Sequence, residues 1–120
     1  MGTLADDPIL VQKARSALRA ARAVVRAHPE SAVSRSYYAV HHALRWRFGG
    51  DLPRGHGGIT DPMVLARAGL ESTQASVLVT LQMWRRRSDY GAVSRVPVDA
   101  PLCCLRDATV LLRTMGVRDL

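Results

Sequence analysis

The stretch Ala32-Val33-Ser34-Arg35-Ser36-Tyr37-Tyr38-Ala39-Val40-His41-His42-Ala43-Leu44-Arg45 carries two stripes at helical spacing. Val33, Tyr37, Val40 and Leu44, with Phe48 beyond them, form a large apolar stripe. Ala32, Ser36, Ala39 and Ala43 form a neighbouring stripe of small residues, along which another helix can approach closely. Arg35, Tyr38, His42 and Arg45 share a third face. A helix is therefore expected from a Ser31 cap to about Phe48, closed by Gly49 and Gly50. Adjacent helical residues point about 100° apart, so of His41 and His42 one is expected to pack inside and the other to stay exposed.

Similar signals flank this segment. Asp6-Asp7-Pro8 reads as an acidic cap with Pro in the first turn, opening a helix that runs to Ala27 and is stopped by Pro29. Val11, Ala14, Leu18, Ala21 and Val25 make its expected buried stripe, and Arg15, Arg19, Arg22 and Arg26 line another face. Residues 49–58, rich in Gly and containing Pro53 and His56, read as a loop; Gly55-His56-Gly57-Gly58 is supple enough to approach a phosphate. Asp61-Pro62 opens a short helix to about Ala68. Ser72 or Thr73 caps a fourth helix, in which Val77 or Leu78, Leu81 and Trp84 face the core, and Ser88-Asp89-Tyr90-Gly91 breaks it after Arg85-Arg86-Arg87. Asp99 and Pro101 open a last helix that ends at Gly116, with Leu102, Leu105, Thr109, Leu112 and Met115 as its inner stripe.

These elements give an all-α fold, a single up-and-down bundle of about five helices occupying residues 1–120 as one domain. Composition agrees: 48% of the 120 residues are apolar and only 5% aromatic, which favours helices over a β-sandwich. Seventeen basic residues against ten acidic leave a net charge of +7, and every base except Lys13 is Arg. Arg forks match phosphates, so the bias points to RNA or DNA, although a GC-rich genome produces the same bias without selection for function. The chain begins without a basic and apolar leader and holds no run of about 20 apolar residues, so a cytoplasmic protein with no membrane contact is expected. Cys103 and Cys104 are adjacent, unsuited to an ordinary bridge, and read as reduced helix residues; no metal site and no cofactor motif is recognisable.

The segment from Ala32 to Arg45 resembles the second helix of small prokaryotic HEPN-domain proteins, whose pattern reads roughly S-R-x-Y-Y-A-x-x-H-A. Gly55-His56-Gly57-Gly58-Ile59 is similar to that family's T-H-S-G-hydrophobic loop, Arg85-Arg86-Arg87-Ser88-Asp89-Tyr90 to its R-x-x-x-D-Y segment, and residues 99–115 to its closing helix, of which Asp107-Ala108 keeps the usual alternation. The resemblance implies a HEPN-like helical bundle that forms a homodimer and acts in a toxin-antitoxin or defence module. It also implies RNA or nucleotide as partner, through metal-independent RNA cleavage or alongside a nucleotidyltransferase. Nuclease members place Arg, then four to six residues, then His near positions 85 to 90. There Arg would stabilise the charged phosphorane and His would take the 2′-OH proton. Arg85 aligns with that Arg, but Asp89 stands where the His belongs, and a carboxylate is a weak base at neutral pH. Arg22 with His28 and Arg35 with His41 also satisfy the spacing, away from the family position.

Two functional readings follow. In the first, the chain binds RNA or a nucleotide through an Arg-rich surface, Arg35, Tyr38, His42, Arg86 and the row Arg15, Arg19, Arg22 and Arg26 being the contacts, and Arg85, Asp89 and Tyr90 are the candidate catalytic group should it also cleave RNA. In the second, the chain is a catalytically silent helical partner of a nucleotidyltransferase, or a small subunit of a ribonucleoprotein complex. There Asp89 bridges to Arg35 or caps a turn, and Tyr90 bonds across the bundle. The small-residue stripe and an exposed Trp46 add the expectation of a homodimer, as surface beyond the needs of one bundle.

Overall fold

A computed structural model of the chain describes residues 8–49, 61–90, 97 and 99–120, with Asp89 and Tyr90 described as backbone only. Among these described residues five helices follow in order: α1 (Pro8–Val24), α2 (Pro29–Phe48), α3 (Pro62–Ala68), α4 (Ser72–Tyr90) and α5 (Ala100–Thr114). The all-α bundle is therefore as expected. Helix α2 packs against all four others, most extensively against α1. One core draws on every helix: Ala14 and Leu18, Val33, Val40 and Leu44, Val64 and Leu65, Leu78 and Leu81, and Leu111 and Leu112 are all buried.

The helix ends follow local chemistry, with some shifts from the expected boundaries. Pro29 does not merely stop the first helix. It occupies the first turn of α2, where a missing N–H costs nothing, and His28 rather than Ser31 is the N-cap residue. Helix α1 accordingly ends at Val24, short of Ala27, and residues 25–27 form a turn in which the His28 N–H donates to the Val24 carbonyl at 2.8 Å. The acidic cap expected at Asp6 and Asp7 and the loop at 50–60, with His56 and its flanking glycines, lie outside the described residues. Asp61 caps α3 as expected, its carboxylate accepting from the Met63 N–H at 2.8 Å.

Neither Ser72 nor Thr73 caps α4. The Glu71 carbonyl instead accepts from the Gln74 and Ala75 N–H groups, and Gln74 Oε1 reaches back to accept from the Glu71 N–H at 2.7 Å, one half of a capping box. The helix also runs through the expected break at Ser88 to Tyr90, because Ser and Asp are poor helix formers but not breakers, and the first Gly is residue 91. Asp99 stands at the N-cap of α5, yet its backbone is already right-handed helical (φ −83°, ψ −19°) and its side chain makes no capping bond.

Helices α3 and α5 end in the same motif. The Gly69 N–H donates to the Ala66 carbonyl and the Leu70 N–H to Leu65; at α5 the Gly116 N–H donates to Arg113 and the Val117 N–H to Leu112. Both pairs are Schellman closures, and both glycines are left-handed, with φ of +80° and +94°. In each motif the two outer residues, Leu65 with Leu70 and Leu112 with Val117, are buried in the core.

The expected stripes match the buried faces closely on α2 and less closely on α1 and α5. All of Ala32, Ser36, Ala39 and Ala43 are fully buried, as are Val33, Val40 and Leu44. The small stripe is thus used up inside one chain, and half-buried Trp46 packs on the core instead of standing exposed, so neither is spare surface for a dimer. On α1, Leu10 joins Ala14, Leu18 and Ala21 in the core, while Val11, and Val25 in the turn that follows, are half-buried. On α5 the buried face is Pro101, Cys104, Ala108, Leu111 and Met115, with Leu112 beside it; Leu102 is exposed, and Leu105 and Thr109 are half-buried. Apolar residues surround α5 so broadly that periodicity fits two adjacent faces. The one chosen presents small Cys104 and Ala108, which suits close packing in a helix whose main neighbour is α2. Burial pushes the Cys104 thiol up to about 12, with Asp107 and Cys103 adding to it, and both cysteines are free.

Ser36 Oγ is fully buried and has no hydrogen-bond partner among the described residues. Ser36→Ala is expected to raise stability by about 1 kcal/mol, since it removes an unsatisfied hydroxyl at nearly constant volume, whereas Ala39→Leu should cost about 1–3 kcal/mol by overpacking; urea unfolding measures both. Gly116→Ala should cost about 1–2 kcal/mol from left-handed strain alone, because a Cβ there meets only ordinary contact with Trp46 at 4.0 Å.

Candidate nucleic-acid interface

Helix α4 brings Arg85 onto the aromatic edge of α2. Its Nη2 donates to the Tyr38 hydroxyl at 2.9 Å, and its guanidinium carbon lies 5.3 Å from the Tyr37 ring centroid and 5.5 Å from that of Tyr38. The two tyrosine rings meet edge to face at 5.3 Å. Such contacts fix a cation more firmly than an exposed arginine is usually held. Tyr37 is buried, and that burial raises its hydroxyl pKa against the opposing pull of Arg85. Tyr38 stays 38% exposed, so the cluster opens to solvent. Arg86 is exposed next to it, and its charge also reaches Tyr37. Arg87 stacks over half-buried Trp84 at 5.2 Å.

His41 completes the cluster from below, its ring 6.2 Å from Tyr37 and 6.3 Å from Tyr38. It also stacks on His42 at 6.2 Å with the planes 14° apart. Both histidines are half-buried, which corrects the expectation of one inside and one exposed. Burial, then the charges of His42, Arg45 and Arg85, pull the His41 pKa down to about 4. His42 is lowered as well, by burial first and then by Lys13 and Arg45. At neutral pH His41 is an uncharged imidazole and a weak base, far from the value near 7 that suits a general base.

The other expected contact residues are distributed around the bundle. Arg35 and His42 do not join Tyr38. They line a groove beside α1, where Arg35 Nε donates to Ser31 Oγ at 3.3 Å. The arginine row of α1 is divided: Arg15 Nε donates to the Arg118 carbonyl at 2.7 Å and Arg19 Nη2 to the Asp119 carbonyl at 3.2 Å, fastening the C-terminal segment, while Arg22 is exposed. Arg26 lies past the end of α1 and does not continue the row. The Asp89 and Tyr90 side chains, with their expected catalytic, bridging or capping roles, lie outside the described residues; their backbone forms the last turn of α4.

Tyr37 and His41 belong to this cluster, whereas the sequence pattern places Tyr37 in the core stripe and His41 outside the candidate site. Their spacing from Tyr38 was visible, but the register of α4 that places Arg85 over them is a tertiary fact. No group of three or more His, Cys, Asp or Glu among the described residues is arranged to hold a metal ion, and no described helix is long and apolar enough to cross a membrane. No family model matches the chain, and no curated protein matches it, so the HEPN resemblance stands on the quoted motifs alone.

The depressed His41 sets a pH dependence. In the unfolded chain the imidazole titrates near 6.5 and in the folded chain near 4, so the unfolded state binds the extra proton between those values. Stability is expected to fall as pH drops from 6.5 toward 4 and to be unaffected by this group above 6.5. His41→Gln should flatten that slope in urea titrations, and the His41 ring resonances of the native protein should hardly move between pH 8 and 5.

Proposed function

We propose that the chain binds single-stranded RNA through the α2–α4 face, with Arg85 and Arg86 meeting phosphates and the open ring of Tyr38 offering a stacking surface. The observation that carries this reading is the Arg85–Tyr37–Tyr38 cluster: a cation held between aromatic rings, bonded to a half-open tyrosine, in a chain of net charge +7. Aromatic stacking combined with a basic track is how proteins hold single strands without reading sequence. The HEPN resemblance supplies the setting, a toxin-antitoxin or defence module, and the homodimer as the working form.

A second reading within this proposal, the silent partner of a nucleotidyltransferase or a ribonucleoprotein subunit, is favoured over cleavage by two features. Asp89 replaces the expected His, and the His41 pKa near 4 makes it a weak acceptor for a 2′-OH proton.

Fluorescence anisotropy with a labelled single strand, repeated across salt concentrations, tests the binding surface. Arg86→Glu should weaken all sequences about equally and lower the magnitude of the log-log salt slope by about 0.7, and Tyr38→Ala should cost about 1–3 kcal/mol. Reversing Arg15 and Arg19, which fasten the C-terminal segment, should leave the slope unchanged. If Arg86→Glu and Tyr38→Ala both bind like the parent protein, the surface is wrong. Incubation with RNA in EDTA decides the enzymatic question: cutting that Arg85→Ala abolishes establishes a nuclease, and binding without cutting establishes the silent partner.

A further inference from the structure

A groove of about 620 Å³ runs between α1 and α2, lined by none of the residues of the Arg85 cluster and within the size range of small-molecule sites. Ile9, Gln12, Lys13, Ser16, Ala17 and Ala20 line it from α1, and Arg35 and His42 from α2. The α1 residues follow one helical face for nearly three turns. Small Ala17 and Ala20 leave the groove its width, and Ile9 is 60% exposed, an unusual state for an isoleucine beside the core.

The polar lining is one-sided. Lys13, the only lysine of the chain, lies close enough to His42 to lower its pKa, and Arg35 sits two helical turns from His42 along α2. Among the described residues no carboxylate lines the groove, and two neutral donors, the Gln12 amide and the Ser16 hydroxyl, share it. His42 Nδ1 is buried and has no hydrogen-bond partner. The charges of Lys13 and Arg35, facing one groove without a described carboxylate, are relieved by the arrival of an anion.

We propose that this groove is a binding site for a phosphate monoester carrying a compact apolar group, its phosphate between Lys13 and His42 and its organic part along Ile9, Ala17 and Ala20. Phosphate fits better than carboxylate because the donors converge from two helices. Three terminal oxygens accept from several directions at once, whereas a carboxylate presents two in one plane. The site is separate from the α2–α4 face, and either assignment can fail without the other.

Titration calorimetry and NMR with phenyl phosphate test it. Saturable one-to-one binding is expected, with the His42 ring resonances shifting and with Lys13→Met weakening affinity about tenfold, the loss of one charge-assisted bond. Lys13 is exposed, so the variant is expected to fold. Benzoate and inorganic phosphate should each bind more weakly than phenyl phosphate, and Arg86→Glu should leave its affinity unchanged. Displacement of phenyl phosphate by a 5′-phosphorylated single strand but not by its 5′-hydroxyl counterpart would assign the phosphate to an RNA end; displacement by neither assigns a free small molecule. Absence of saturation, equal affinity in Lys13→Met, or benzoate binding as tightly as phenyl phosphate overturns the proposal.

Discussion

The structure depends on how closely other helices can approach α2. Ala32, Ser36, Ala39 and Ala43 are fully buried, and beside them Val33, Val40 and Leu44 fill the space that the small residues leave. A helix with a narrow face and a broad face next to each other can hold neighbours at different distances, which is what contact with all four other helices requires. At Ser36 the face is small enough for that approach, but its buried hydroxyl has no partner among the described residues and adds nothing that alanine would not.

Both candidate surfaces inherit their geometry from that central helix. Adjacent residues on a helix point to different sides, so the run from Tyr37 to His42 serves α4 with one set of side chains and the α1 groove with another. His41 and His42, stacked on each other, stand between the two. Their lowered pKa values have a common origin in partial burial and in arginine and lysine charges gathered on both sides. The basic excess of the sequence is therefore not spread evenly in its effects. Part of it is fixed against tyrosine rings, part fastens the C-terminal segment, and part crowds the histidines.

Local chemistry made much of the fold legible. Pro at the start of α1, α3 and α5 and Gly116 at the end of α5 are signals whose cause lies within a few residues, and they appear where expected. The errors arose where a signal fitted two outcomes. Pro29 both ends one helix and opens the next, Ser72 and Thr73 competed with a Glu71–Gln74 arrangement, and α5 has apolar residues on two adjacent faces. At the candidate interface, Arg85, Tyr38 and Arg86 were legible as residue types, but their union was not. Arg35 and His42 share a helical face with Tyr38, yet they line the groove beside α1, whereas Tyr38 bonds to Arg85 on α4.

By itself the sequence determined that the chain is helical, where most helices begin and end, and which stripe of α2 is buried, because those properties follow from periodicity and from backbone preferences of Pro and Gly over one or two turns. Only the tertiary structure decided that Arg85 would lie on Tyr37 and Tyr38, 47 residues from the latter, and that Arg15 and Arg19 would bind carbonyls 103 and 100 residues away. These pairings depend on the rotation of one helix against another, which the packing of the whole core fixes and which no local pattern encodes.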